Sequence, residues 1–225
     1  MTQTEPMAPR ESLIAETSFS DIFSRALQGS PVKVVGVEDH PYDLPMDEWT
    51  RHADTADHAL LDLCRGSTLD IGCGPGRLSC ALGLRGQRVL GVDIVAEAVD
   101  QARSRGALAE RRDVFKPMPD EGGWDTALLA DGNIGIGGDP VALLARGKEL
   151  IKPAGRVVVE LKEPGVQSKV LWATLETGDS ASKPFRWAVV GVDDIEGVAA
   201  QAGLVVRSID RVGSRWATVL QQVTR

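Results

Sequence analysis

The sequence predicts an α/β fold in which a doubly wound, mainly parallel sheet ends in an antiparallel hairpin. From residue 67 to residue 161, short and nearly continuous apolar segments alternate with helical segments. This alternation is typical of parallel strands that helices cover on both faces. Near the C-terminus, strand-like segments 204–212 and 216–223 are joined through Gly213-Ser214. So short a connection requires antiparallel pairing.

The first 63 residues predict a tail followed by a helical extension. Residues 1–17 are polar and contain proline, which predicts a disordered tail. Ser20 is the predicted N-cap of the first helix. Apolar side chains at helical spacing predict further helix between residues 46 and 64, interrupted near Asp54. Residues 18–63 are therefore assigned to an N-terminal helical extension or lid.

Residues 64–225 are assigned to the main domain, which starts with the alternating strands and helices. Its expected strands are 67–71, 88–93, 108–112, 126–130 and 156–161, and its expected helices are 76–85, 95–105 and 140–151. Asp139 and Pro140 provide a favourable N-cap and first position for the last of these helices. Segments 170–176 and 185–190 flank a polar turn, which predicts a second hairpin.

A glycine-rich loop between the first strand and helix of the main domain gives the strongest signal for a ligand. Gly72, Gly74 and Gly76 form a G-x-G-x-G pattern, which lets a ligand approach the main chain closely. The dinucleotide fingerprint would need glycine or alanine where Arg77 stands, and Pro75 lacks one N–H that a pyrophosphate could use. The loop therefore suits a ligand without pyrophosphate, although a tight turn alone would also explain it.

Acidic residues end the next two strands. Asp93 follows the glycines by about twenty residues, where a carboxylate can accept both hydroxyls of a ribose. It could instead cap the helix that starts at Val95, and Ile94 is placed to pack on an adenine. Asp113 could accept the adenine amino group while the Val114 N–H meets a ring nitrogen. The alternative for Asp113 is an ion pair with one of the two preceding arginines.

Taken together, four segments resemble the class I S-adenosylmethionine-dependent methyltransferases, and in particular a small bacterial subgroup of mostly undefined acceptor. They are LDIGCGPGR (69–77), VLGVDI (89–94), RRDVF (111–115) and IKPAGRVVVEL (151–161). The resemblance implies a Rossmann-like sheet of seven strands, the last antiparallel, with S-adenosyl-L-methionine as cofactor and S-adenosyl-L-homocysteine as product. The cofactor-binding residues that it implies are Asp70, Gly72, Cys73, Gly74, Gly76, Arg77, Asp93, Ile94, Asp113, Val114 and Asp131.

The catalytic candidates follow the fourth and fifth strands. Ligands bind beyond the carboxyl ends of parallel strands, so Asp131, Asn133 and Glu160 are expected to face the acceptor. Asp131 and Asn133 could instead satisfy the backbone of their own loop. Arg77 could hold the cofactor carboxylate or an anionic acceptor, or form a solvent-facing salt bridge.

Several aromatic and histidine residues remain secondary candidates. Tyr42 and Trp49 are expected either to line an acceptor pocket or to belong to the core. Trp172, Phe185 and Trp187 are expected to pack rather than to recognise a ligand. The three histidines, which lie at positions 40, 52 and 58, are expected on the surface or in packing, although one could serve as a general base.

The amino-acid composition indicates which classes of partner are not expected. Lys and Arg number 25 and Asp and Glu number 32, a net charge of −7. Nucleic acids and anionic membranes attract basic surfaces, so neither is expected as a partner. Cys64, Cys73 and Cys80 include no C-x-x-C pair, which predicts reduced thiols and no metal site. The absence of a signal-like start and of a long apolar run predicts a cytoplasmic protein.

The sequence therefore predicts an S-adenosylmethionine-dependent methyltransferase that acts on a small-molecule acceptor as a monomer or homodimer. Two other classes stay open. One is an oxidoreductase that binds a nicotinamide dinucleotide. The other is a module that binds S-adenosylmethionine without catalysis.

Overall fold

The computed structural model describes residues 15–223. Its helices are α1 (Phe19–Leu27), α2 (Met46–Thr50), α3 (Thr55–Leu61), α4 (Arg77–Leu84), α5 (Ala96–Ser104), α6 (Pro140–Leu150) and α7 (Ile195–Gln201). Its strands are β1 (Ala15–Thr17), β2 (Lys33–Val35), β3 (Tyr42–Asp43), β4 (Thr68–Ile71), β5 (Val89–Asp93), β6 (Ala109–Arg111), β7 (Trp124–Leu129), β8 (Ile151–Leu161), β9 (Lys169–Glu176), β10 (Ser180–Ser182), β11 (Phe185–Val189), β12 (Leu204–Val212) and β13 (Arg215–Gln222). Short 3-10 segments cover Asn133–Gly138 and Val192–Asp194.

The larger sheet has seven strands in the order β12-β13-β8-β7-β4-β5-β6. Strands β4 to β8 run parallel to one another, whereas β13 is antiparallel to both β8 and β12. The α/β class and the sheet of seven strands that the sequence predicts are confirmed. β8 begins at Ile151 rather than at Arg156, because Ile151 already pairs with Trp124 ahead of an irregularity in the ladder.

Nearly continuous apolar strands make this sheet the centre of the core. All four residues of β4 are buried, as are Val157, Val158 and Val159 of β8. One face packs against α6 and α7, and the other packs against α3 and α4. Burying each such aliphatic side chain stabilises the fold by roughly 1.5–3 kcal/mol. The buried strands therefore hold in place the loops that follow their carboxyl ends.

A second, smaller sheet joins the N-terminal segment to the middle of the chain. Its order is β1-β10-β9-β2-β3, with β11 paired to β9. The predicted hairpin is confirmed by the antiparallel pairing of β9 with β11, in which Trp172 lies opposite Arg186. The N-terminal extension contains β2 and β3 as well as helices, because β2 adds to the edge of β9.

The prediction of a disordered tail over residues 1–17 is wrong for residues 15–17. Residues 1–14 lie outside the described residues, and residues 15–17 form β1. This strand pairs in parallel with β10, so its backbone hydrogen bonds are satisfied by the smaller sheet.

The first helix is capped by Ser18 rather than by Ser20. Ser18 Oγ accepts a hydrogen bond from the Asp21 N–H at 3.1 Å and donates one to the Asp21 carboxylate at 2.7 Å. This reciprocal pair satisfies the helix start better than a cap two residues later. The predicted break near Asp54 is confirmed, since Asp54 and Asp57 form a capping box at the start of α3. Among residues 15–223, no helix has the length and apolar character to cross a bilayer.

Candidate functional site

A cavity of about 380 Å³ lies beyond the carboxyl ends of β4, β5, β6 and β7, where open α/β sheets bind ligands. The glycine loop contributes one wall, so we call it the glycine-loop cavity. Its lining from these strand ends is Asp70–Pro75, Arg77, Val92–Val95, Arg112–Val114, Ala130, Asp131, Asn133, Ile136 and Gly137. Ten of the eleven predicted cofactor-binding residues line this cavity, and Gly76 does not.

The three glycines have different physical roles. A Cβ at Gly74 would meet no atom within 4 Å, so the backbone is open for a ligand to approach. At Gly76 a Cβ would come within 2.7 Å of the Ala102 Cβ, and φ is +84°. Gly76 therefore permits close packing of α4 on α5 and does not contact the cavity. At Gly72 a Cβ would come within 2.7 Å of Asn133 Nδ2.

Asp93 links the glycine loop to the next helix. Its Oδ2 accepts a hydrogen bond from the Gly74 N–H at 3.0 Å, and its Oδ1 accepts one from the Val95 N–H at 2.9 Å. Burial raises the pKa of this carboxyl. Asp93 thus makes a local turn before α5 and is not its cap, since Val95 is the N-cap, and each carboxylate oxygen still has a lone pair for a ligand. The neighbouring Ile94 is 46% exposed at the cavity wall.

Asp113 is not held by an arginine. Its Oδ1 accepts a hydrogen bond from the Phe115 N–H at 3.0 Å, which makes a local turn. Arg112 instead pairs with Glu110 at 2.9 Å, and Arg111 donates to the Ile94 carbonyl. Asp113 and the buried Val114 therefore line the cavity with the carboxylate largely available.

Asp70 lies near the end of the strand before the glycine loop, and Cys73 is a buried residue of the loop. Ser79 Oγ donates to Asp70 Oδ2 at 2.6 Å, yet burial dominates and raises the pKa of Asp70 to about 6. Burial also raises the pKa of the Cys73 thiol, which keeps it protonated at neutral pH. Cys73 packs with Val99 and Ala102 of α5. The thiol is thus a packing group rather than a nucleophile.

Arg77 is buried, with 5% of its surface exposed, so the solvent-facing salt bridge considered for it is wrong. Its Nη2 donates to both carboxylate oxygens of Asp131 at 2.6 Å, and its Nη1 pairs with Asp57. Asp57, on α3, is fully buried and also pairs with Arg51 at 2.5 Å and Arg215 at 2.7 Å. Burial alone would raise the pKa of Asp57, but hydrogen bonds from Arg77, the Asp54 N–H and Arg51 hold it well below its usual range.

Asp131 and Glu160 meet at the end of β7 and β8. The Asp131 N–H donates to Glu160 Oε2 at 2.9 Å, with Asp131 held at a φ of +52°. Arg215 Nη1 donates to the same Glu160 oxygen at 3.4 Å. Burial, followed by the nearby Asp131 charge, raises the pKa of Glu160.

Asn133 does not satisfy its own loop. Its Nδ2 donates to the Ile71 carbonyl at 2.9 Å and to the Gly72 carbonyl at 2.8 Å. The side chain therefore ties the loop after β7 to the glycine loop. Asp131 likewise bonds Arg77 rather than its own loop, so the local alternative is wrong for both residues.

A second cavity of about 650 Å³ adjoins the first, and we call it the aromatic cavity. Six residues line both cavities: Phe19, Phe23, Trp49, Phe185, Trp187 and Asp131. Within the described chain, Asp131 is the one charged residue common to both. The Glu160 side chain lines the aromatic cavity and not the glycine-loop cavity.

The five shared aromatic residues form a chain that we call the aromatic arch. Ring centroids are 5.8 Å apart for Trp49 and Phe23, 5.4 Å for Phe23 and Phe19, 4.9 Å for Phe19 and Phe185, and 6.4 Å for Phe185 and Trp187. The arch thus runs from α2 through α1 to β11.

Sequence reasoning missed much of this arch. Phe19 and Phe23 belong to none of the motifs that mark a ligand site in the sequence. Phe185 and Trp187 line both cavities instead of serving only in packing, whereas Trp172 is 63% exposed.

Tyr42 lies in the aromatic cavity, whereas the three histidines lie on the surface. Tyr42 lines the aromatic cavity, and burial raises the pKa of its hydroxyl. The histidines at positions 40, 52 and 58 are exposed, as the sequence predicts, and none of them lines either cavity.

Comparisons with known proteins agree with this geometry. A family model described as a methyltransferase domain matches residues 68–155. No curated protein matches the chain by sequence.

Solved structures are similar at low identity. A SAM-dependent methyltransferase from Bacteroides fragilis, in complex with S-adenosyl-L-homocysteine, is 18% identical with a TM-score of 0.75, covering 97% of this chain and 98% of that one. The Burkholderia thailandensis 1,6-didemethyltoxoflavin-N1-methyltransferase is 18% identical with a TM-score of 0.59, covering 100% and 94%. The CcbJ methyltransferase from Streptomyces caelestis is 16% identical with a TM-score of 0.60, covering 76% and 90%. At these identities the similarity concerns the fold.

Proposed function

We propose that this chain, which has the fold of the class I S-adenosylmethionine-dependent methyltransferases and a methyltransferase-domain match over residues 68–155, transfers a methyl group from S-adenosylmethionine to a small-molecule acceptor. The family resemblance in the sequence is confirmed at the level of that domain match and of the fold. The acceptor and the individual site residues are proposals.

The acidic lining of the glycine-loop cavity carries the choice of cofactor. Four carboxylates line it, those of Asp70, Asp93, Asp113 and Asp131, against three guanidiniums, those of Arg77, Arg112 and Arg186, and Arg112 is paired with Glu110. The guanidinium of Arg77 is already engaged by two of the protein's own carboxylates. A diphosphate-bridged dinucleotide would bring negative charge against these carboxylates, whereas the sulfonium and ammonium groups of S-adenosylmethionine bring positive charge.

The residues present fit S-adenosylmethionine. Asp93 would accept the ribose hydroxyls, and Asp113 with the Val114 backbone would meet the adenine. The open backbone at Gly74 would lie against the methionine part. When bound, the cofactor supplies an electrophilic methyl group on its sulfonium. The similar proteins from Bacteroides fragilis and Burkholderia thailandensis carry S-adenosylhomocysteine in their structures, which supports the same choice here.

The chain's own contribution to catalysis is to position the reactants and exclude water. Asp131 and the aromatic arch lie where the two cavities meet, so the transferred methyl group would pass there. Asn133 would act as a positioning residue, since its amide holds the glycine loop. The bound 1,6-didemethyltoxoflavin of the Burkholderia thailandensis enzyme is a small molecule, which supports an acceptor of that kind.

Calorimetry with S-adenosylhomocysteine and with NADH tests the cofactor. We expect binding of the former alone, and we expect Asp93→Ala to weaken it by at least about tenfold, since a ribose hydrogen bond to a carboxylate is worth roughly 1.5–3 kcal/mol. Asp100→Ala, which removes an exposed carboxylate on α5, is the matched control and should leave the affinity unchanged. Binding of NADH, or an unchanged affinity in Asp93→Ala, would refute the proposal.

Incubation of a cell extract with methyl-labelled S-adenosylmethionine and the purified protein separates an enzyme from a binding module. A labelled small molecule that appears only with the protein supports catalysis. Binding of the cofactor without any labelled product would favour the non-catalytic module.

A further inference from the structure

The aromatic cavity has two chemically different walls. Its apolar wall comes from the N-terminal segment and the smaller sheet, and includes Val34, Val37, Tyr42, Leu44, Leu175 and Val189 together with the aromatic arch. Its polar wall comes from the loop after β7, from the end of β8 and the segment after it, and from the start of β13 and the turn before it. It includes Asp131, Glu160, Lys162, Glu163, Ser214 and Arg215. The N-terminal segment and the smaller sheet also contribute two charged residues, Glu38 and Lys169, so a ligand there would meet most, but not all, of its charged partners at the polar wall.

The polar wall offers hydrogen-bond acceptors in excess. In the part of the chain that the structure describes, the hydrogen bonds to Glu160 reach Oε2, which leaves Oε1 for a ligand. Arg215 is shared among Asp57, Asp131 and Glu160. Among the charged residues of this wall, the carboxylates of Asp131, Glu160 and Glu163 outnumber the cations of Lys162 and Arg215. A donor group is favoured over an anion at this wall.

The apolar wall favours a flat ring over a polyol. Seven aromatic side chains line the aromatic cavity, namely the five rings of the arch together with Tyr42 and Trp216. Offset or edge contacts between rings contribute about 0.5–1.5 kcal/mol beyond area burial. The hydroxyls of a sugar that faced this wall would lose water without gaining partners.

We infer that the aromatic cavity is the acceptor site and that it takes a flat aromatic or heteroaromatic molecule presenting an N–H or O–H donor to Glu160 Oε1. This inference rests on the proposed function. In the transfer step, a lone pair of the ring-borne nitrogen or oxygen forms the new bond to the methyl carbon. The carbon–sulfur bond breaks, its electron pair stays on sulfur, and the proton of the donor passes to Glu160.

Glu160 suits this role better than Asp131. Both oxygens of Asp131 already accept hydrogen bonds from Arg77 at 2.6 Å, whereas Glu160 Oε1 has no such partner among the described residues. A hydrogen bond from the Asp131 N–H to its Oε2 holds Glu160 near the point where the two cavities meet. Burial raises the pKa of Glu160, so it accepts a proton more readily than an exposed glutamate does. The charged groups around Glu160 are Asp131, Arg215 and Arg77.

The test uses four probes on the full chain, each measured by calorimetry with and without saturating S-adenosylhomocysteine. They are 6-hydroxyquinoline, quinoline, quinoline-6-carboxylate and methyl α-glucopyranoside. We expect 6-hydroxyquinoline to bind at least about tenfold more tightly than quinoline, because its hydroxyl donates to a buried carboxylate. We expect the carboxylate and the glucoside to bind more weakly still. If quinoline-6-carboxylate or methyl α-glucopyranoside bound more tightly than 6-hydroxyquinoline, the proposed class of acceptor would be wrong.

Two pairs of variants locate the site. Val37→Trp fills the aromatic cavity and should abolish binding of 6-hydroxyquinoline while S-adenosylhomocysteine binding persists, which also shows that the variant folds. Ile94→Trp fills only the glycine-loop cavity and should do the reverse. Glu160→Gln should reduce the preference for 6-hydroxyquinoline over quinoline several-fold, whereas Glu163→Gln, an exposed residue of the same wall, should keep it.

These measurements separate the two proposals. If the wild type did not bind S-adenosylhomocysteine, the proposed function would be refuted. Binding of the four probes in the absence of S-adenosylhomocysteine would still report on the aromatic cavity. Unchanged probe binding in Val37→Trp, or a preference lost in Glu163→Gln and kept in Glu160→Gln, would overturn the acceptor site.

Discussion

Gly74 and Gly76 belong to the same sequence motif but have different structural roles. Gly74 faces open space, while Gly76 lies against Ala102. A glycine motif predicts that the backbone needs freedom at these positions. It does not predict whether a ligand or a neighbouring helix requires that freedom, since the neighbour lies 26 residues further along the chain.

Gly76→Ala is expected to destabilise the fold by about 1–3 kcal/mol, because its methyl group would overlap Ala102 and because φ is positive. Gly74→Ala is expected to cost about 1 kcal/mol of backbone strain only, yet to weaken S-adenosylhomocysteine binding. Urea denaturation and calorimetry on both variants measure these effects. Equal losses of stability would contradict the separation of roles.

Asp70 predicts a distinct pH dependence. Its pKa is about 6 in the folded chain against an ordinary value of 3.8, so between about pH 4 and pH 6 the folded state retains a proton that the unfolded state has released. The stability contributed by this group therefore falls as pH rises through that window. Relative to the wild type, Asp70→Asn should gain up to about 3 kcal/mol between pH 4 and pH 7.

Urea titrations at several pH values measure that difference. Asp100→Asn, on the exposed face of α5, is the control and should show a constant difference from the wild type. A difference that stays constant or falls for Asp70→Asn would contradict the assigned shift.

At the scale of elements, buried charges join segments that the sequence places far apart. Asp57 on α3, Arg77 on α4 and Arg215 on β13 meet with Asp131 after β7. The sequence predicts α3 and the cap at Asp54 from local patterns. It could not predict this network, because the partners of Arg77 lie 20 and 54 residues away and depend on how the elements pack.

Asp57→Asn is expected to destabilise the fold by about 3 kcal/mol, because Arg77 would lose a buried carboxylate partner. Asp62→Asn interrupts an exposed pair with Arg85 and should cost no more than about 1 kcal/mol. Chemical denaturation at pH 7 compares the two variants. Equal small effects would show that the buried network contributes little to stability.

At the scale of the whole molecule, the two sheets enclose the candidate site between them. The sheet of seven strands could be predicted because its strands are apolar and its connections regular. The arch could not, because its rings at positions 19, 23, 49, 185 and 187 come from helical and hairpin segments whose mutual contacts are not local.

Ligand binding should therefore stabilise parts of the chain remote from the glycine loop. With S-adenosylhomocysteine bound, amide hydrogen exchange is expected to slow at least about tenfold in α1 and β11, whose rings line the glycine-loop cavity. The segment from α7 into β12 lines neither cavity and serves as the internal control. Protection of the control alone would contradict a ligand beneath the arch.

The composition of the arch has a further consequence for how acceptor preference can change. Three of its rings, Phe19, Phe23 and Trp49, belong to the segment before β4, whereas the residues proposed to bind the nucleoside come from the ends of β4 to β7. The three rings can therefore be exchanged without altering those strand ends. Because the same rings also line the glycine-loop cavity, a change of acceptor at these positions has to preserve their contact with the methyl donor.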